Sequence, residues 1–69
     1  VSATVAAIAD LLRSVPCVDA PVVTRAAWFD RKADVFDAIA DAGGPEAHEA
    51  RRMALHARAV ASLIRRGRA

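Results

Sequence analysis

The chain has 69 residues, of which 55% are hydrophobic, and carries a net charge of +2. At that length a single domain buries only about 60% of the surface its unfolded form exposes; one cysteine, Cys17, excludes an internal disulfide, and nothing resembles a four-ligand zinc set. Eighteen of the apolar residues are alanine and only twenty are larger, so stability has to come from close helix packing or from a partner chain.

The sequence predicts an all-α fold over residues 1–69 as one domain: a short N-terminal helix packed on a long antiparallel helical hairpin, with helices at about 3–14, 22–42 and 45–66. In the first, Ser2 is the expected cap, and Val5, Ile8, Leu12 and Val15 recur at helical spacing, with Leu11 beside them. Pro16 to Pro21 break this helix. The second begins near Val22, with Pro21 in its first turn or Thr24 as its cap, and stops at Gly43 and Gly44. Pro45, Glu46 and Glu49 start the third, since proline needs no amide partner there and the acids suit the positive dipole end. Arg65, Arg66 and Gly67 close it. Within the two long helices the spacing is heptad-like: Val22, Phe29 and Phe36 alternate with Ala26, Ala33 and Ala40, and Ala50, Met53, Ala57, Val60 and Ile64 follow the same rhythm. The predicted seam therefore sets large residues beside alanines.

Charge gives a second handle on this pairing. Asp30, Asp34, Asp37 and Asp41 line one face of the second helix, and Arg51, Arg58 and Arg65 line one face of the third. A turn centred on Gly44 places Asp37 opposite Arg51 and Asp30 opposite Arg58. Exposed pairs of this kind contribute little to stability and act on register, so exchanging Asp37 with Arg51 is expected to change stability little. Beyond the seam, Trp28, Val35 and Ile39 on the second helix, and Leu55 and Leu63 on the third, form further apolar strips. These are the candidate partner-interface residues, with the first helix or a second copy of the chain as their cover.

Chemistry-bearing residues are sparse. A carboxylate row can hold a cation only with ligands on the facing helix, and arginines stand there instead. His48 and His56 are two turns apart, about 12 Å, and cannot share an ion within one chain. Cys17 has neither an adjacent base nor a basic neighbour and is expected to pack as a small apolar residue. Ser2, Ser14 and Ser62 complete no nucleophile–base arrangement. No catalytic, cofactor-binding or metal-ligating residue is assigned, no small-molecule substrate is evident, and the chain reads as a non-enzyme.

Arginine outnumbers lysine nine to one, and Asn, Gln and Tyr are absent, a bias a GC-rich bacterial genome imposes. Residues 43–69 carry six Arg against two Glu, so Arg51, Arg58, Arg65, Arg66 and Arg68 are the candidates for phosphate contact. Against that use, Glu46 and Glu49 occupy the start of the helix, and the adenine readers Asn and Gln are missing. The run Thr24, Arg25, Ala26, Ala27, Trp28, Phe29, Asp30, Arg31, Lys32, Ala33, followed by Ile39 and Ala40, resembles small, uncharacterised actinobacterial helical proteins; the resemblance implies a bacterial cytoplasmic origin and no activity. No apolar run is long enough to span a membrane, no basic and apolar leader opens the chain, and the lone cysteine fits a reducing compartment. The expected function is a protein–protein interaction or assembly module that self-associates or binds another helical protein. The alternative is a small DNA- or RNA-binding accessory protein using the third helix and its arginine tail.

Overall fold

A computed structural model describes residues 3–67; Ser2 and Arg68 lie outside the described residues. The fold is all-α, with three helices: α1 (Ala3–Arg13), α2 (Val22–Asp41) and α3 (Ala47–Arg65). Pro21 stands at the N-cap of α2 with an extended ψ of 148°, and Thr24 lies inside the helix. At the other end the amide of Ala42 donates to the Ala38 carbonyl and that of Gly43 to Ala40. Gly43 and Gly44 then adopt φ of 79° and 89°, left-handed values that reverse the chain and that a Cβ makes costly. Pro45 and Glu46 form the turn ahead of α3 rather than its first residues, and Ala50 N–H donates to Glu46 C=O at 2.9 Å.

α2 and α3 pack along most of their length as an antiparallel hairpin. Ala26, Ala33 and Ala40 face the seam as expected, but the α3 side is Ala50, Ala54, Ala57, Ala61 and Ile64, not the frame through Met53 and Val60. The difference is one of size. Alanine opposite alanine lets the axes approach to the short end of the usual spacing of about 8–10 Å, and that gap has no room for Met53 or Val60. They move to the flank, with Met53 37% exposed, as do Phe29 and Phe36, which pack half-buried against the alanine clusters. Val22, expected in the seam, is exposed. Seven of the nine buried residues are alanine, and among the described residues no large side chain is fully buried. Each alanine methyl contributes about 0.8 kcal/mol on burial, against about 1.5–3 kcal/mol for a Val, Leu, Ile, Phe or Met side chain.

α1 packs against α2, and none of its Cα atoms comes within 8 Å of one in α3. It docks through Ala7 and Leu11 rather than through the expected face; Val5, Leu12 and Val15 are 55%, 67% and 55% exposed. Polar bonds account for the rotation. The Trp28 indole N–H donates to the Leu11 carbonyl at 3.0 Å, and Arg31 donates to the Ser14 hydroxyl, so the Leu11–Ser14 edge is drawn onto α2. Cys17, in the connection, is exposed rather than packed.

Successive residues of an α-helix are rotated by about 100°. On α2, Trp28, Arg31, Val35 and Ala38, which line the grooves with α1, therefore lie opposite the Ala26–Ala33–Ala40 stripe that meets α3. The helices stand side by side in the order α1–α2–α3. The envelope of 36 × 23 × 12 Å agrees, its middle dimension matching two inter-axis steps. A layer one helix deep has two open faces.

Candidate interaction faces

On one face the α2 aspartates meet the α3 arginines. Arg51 bonds Asp37 at 2.7 Å and Asp41 at 2.8 Å, Arg58 bonds Asp37 at 2.6 Å and Asp34 at 3.2 Å, and Arg65 bonds Asp30 at 2.6 Å. The Asp37–Arg51 pair is as expected from the turn. Asp30 does not pair with Arg58: Arg58 reaches Asp34 and Asp37, about one and two turns nearer the hairpin turn, and Asp30 is met by Arg65, about two turns beyond Arg58. The cause is the tilt of helical side chains toward their own N-terminus. In an antiparallel pair the tilts run opposite ways, so an arginine meets an aspartate nearer the hairpin turn than the backbone alignment predicts. Asp37, 24% exposed and sharing two guanidinium groups, has its carboxyl held below the ordinary 3.8 by hydrogen bonds from Arg58 first and Arg51 second. The same contacts raise the arginines above their ordinary value, Asp41 and then Asp37 acting on Arg51, and Asp37 first on Arg58.

The opposite face is apolar. Phe29 and Val60 pack on the Ala26–Ala61–Ile64 cluster, and Lys32 shares a shallow groove with Glu49, Arg52, Met53 and His56, which places Phe29, Phe36, Lys32 and Ile39 of α2 on the same side as Met53, His56, Val60 and Leu63 of α3. Trp28 and Phe29 meet edge to face, with centroids 5.0 Å apart and planes at 89°. Lys32 Nζ stands 5.8 Å from both rings, so its stem and charge cover part of the pair. From the linker, Val15, Pro16, Cys17 and Val18 line a shallow groove with Phe29 and Ile64 at one end.

The five apolar candidates thus separate. Trp28 and Val35 line the α1 contact, Ile39 and Leu63 belong to the apolar face, and Leu55, 62% exposed, projects from the outer flank of α3. Met53 and Val60 belong with Ile39 and Leu63, although the heptad reading put them in the seam. The available signal was the pair Ala54 and Ala61, which continues an alanine stripe from Ala50 and Ala57. Among the basic candidates, Arg51, Arg58 and Arg65 are held in the ion-pair face, and Arg66 donates to Ser62 Oγ at 3.1 Å. His48 and His56 are exposed. Among the described residues no group of three or more His, Cys, Asp or Glu is placed to hold a metal ion, and no helix is long and apolar enough to cross a membrane.

Fold and faces together define an all-α, single-layer three-helix domain with one charged and one apolar side. Neither family models, nor curated proteins, nor solved structures give a match to the chain.

Proposed function

We propose that this chain is a small, non-enzymatic helical interaction module that self-associates as a homodimer. The observation that carries the reading is the pairing of an alanine core, in which no large side chain among the described residues is fully buried, with large apolar side chains left exposed, Met53 and Leu63 among them. A chain this small gains stability from a second copy by mass action. The total surface of 4708 Å² points the same way, since a compact monomer of 7.3 kDa exposes about 4,200 Å². Against the alternative of nucleic-acid binding stands the use of Arg51, Arg58 and Arg65 within the fold, where each faces an aspartate that competes with phosphate. A cytoplasmic location in a bacterial cell fits the single cysteine and the arginine bias.

Light scattering of the purified chain, alongside titration into labelled duplex DNA at low and high salt, tests the reading. The expected result is a particle of twice the 7.3 kDa chain mass that ignores DNA. A monomer with micromolar DNA affinity that collapses with added salt replaces it with the nucleic-acid reading.

A further inference from the structure

We infer that the second copy is taken up by exchange of α1: the connection opens at the Cys17–Ala20 turn, and α1 of each chain docks on α2 of its partner, with the two connections side by side at a two-fold axis. This rests on the self-association proposed above and says how the pair is built.

The connection is built as a hinge. Its reversal is closed by a turn in which the Ala20 amide donates to the Cys17 carbonyl at 3.0 Å. Pro16 and Pro21 flank that turn. A proline fixes its own φ and holds the residue before it extended, so Val15, Pro16, Ala20 and Pro21 favour a straight chain, and Pro21 has a ψ of 148°. Arg25 Nε donates to the Ala20 carbonyl at 3.0 Å and anchors the α2 end, which leaves the bend to the residues ahead of it. α1 runs antiparallel to α2, since Ser14 meets Arg31 and Ala3 shares a groove with Ala38. Opening the turn therefore sets the two helices end to end.

Packing and exposure then favour a second copy as the partner of the opened arm. Of the 11 residues of α1 only Leu11 is buried, and a helix of that length is marginal by itself, so release is easy and redocking is required. Exchange restores the contacts of the closed chain: Leu11 against α2, the Trp28 indole N–H on the Leu11 carbonyl, and Arg31 on the Ser14 hydroxyl. Only another copy of this chain carries that edge. The gain over the closed form lies at the hinge. Among the described residues nine large apolar side chains are exposed, and five of them, Leu12, Val15, Val18, Val22 and Val23, lie in or beside the connection, Val18 at 92%. In a two-fold pair the straightened connections run past each other, and these residues cover their counterparts.

The test places thiols across the α1–α2 contact. Ala7 and Val35 line the same two grooves, so Ala7→Cys and Val35→Cys are combined with Cys17→Ser. Circular dichroism reports whether this variant keeps wild-type helicity, and sedimentation equilibrium up to about 1 mM compares its association with that of the wild type. A short bis-maleimide then joins thiols between chains in an exchanged dimer and within one chain in a closed one, a difference read on a denaturing gel. The expected product is the covalent dimer. A second variant inserts about eight Gly and Ser residues between Val18 and Asp19; the longer hinge lets α1 return to its own α2, and the dimer should be at least about tenfold weaker. If a folded, dimeric thiol variant gives only crosslinked monomer, or if the lengthened hinge leaves the dimer unchanged, exchange is overturned while self-association stands. If the wild type is monomeric throughout, both proposals fall.

Discussion

Alanine carries this fold because its methyl is the largest group that fits between two closely approached helices. Ala33 and Ala54 are fully buried and pack in one cluster with Ala57. Ala33→Leu inserts three carbons into a gap with no free volume, and overpacking of this kind costs about 1–3 kcal/mol. In a domain of this size that corresponds to a fall in Tm of about 4–8 °C per kcal/mol, readable by thermal melting. Trp28→Phe is a milder change. The Leu11 carbonyl that takes the indole N–H also accepts from the amide and hydroxyl of Ser14 at 3.2 Å, so losing one donor leaves no orphan, and the expected cost is at or below about 0.5–1 kcal/mol. Asp37 supplies the pH-sensitive residue. Its folded pKa lies below the ordinary 3.8, so the stability it adds is present above that value and is lost as pH falls through the folded pKa. Asp37→Asn should flatten the decline of Tm in the acid range below about pH 4, while the wild type keeps the steeper slope.

Between elements, the charge ladder acts as a network rather than as separate pairs. Asp37 bridges Arg51 and Arg58, and Arg51 bridges Asp37 and Asp41. Exchanging Asp37 with Arg51, harmless for an isolated pair, therefore sets the new arginine against Arg58 and the new aspartate against Asp41. The double variant should melt several degrees below the wild type at low salt, with the gap narrowing as salt is added; a melt equal to wild type at both salts contradicts the network. The hairpin itself was legible in the sequence because its signals are local: Pro21 and Pro45 before helices, Gly43 and Gly44 after one, and alanine and aspartate repeats along the faces. The seam of α3 and the docking edge of α1 were not. For α3 both frames through Ala50, Ala57 and Ile64 satisfy the spacing, and the choice depends on how closely α2 approaches. For α1 the Val5, Ile8, Leu12 and Val15 stripe is the more apolar, yet a carbonyl and a hydroxyl on the neighbouring edge decide the contact.

For the whole molecule the consequence is a layer instead of a bundle. α2 is contacted on opposite sides by α1 and α3, so neither outer helix covers the side that carries Phe36 and Leu63. If the chain closes on a second copy, folding is linked to association, and Tm should rise as protein concentration is raised from about 5 µM to 500 µM. A Tm independent of concentration over that range contradicts the linkage. Composition, turn residues and heptad spacing determined by themselves that the chain is helical, that α2 and α3 form an antiparallel hairpin, and that alanine lies between them, because each follows from local backbone preference and the period of the α-helix. Tertiary structure alone decided the rotation of α1, the alanine frame of α3, the partners of each arginine and hence the side left apolar. Those depend on side-chain volume and tilt across a gap whose width no single helix contains.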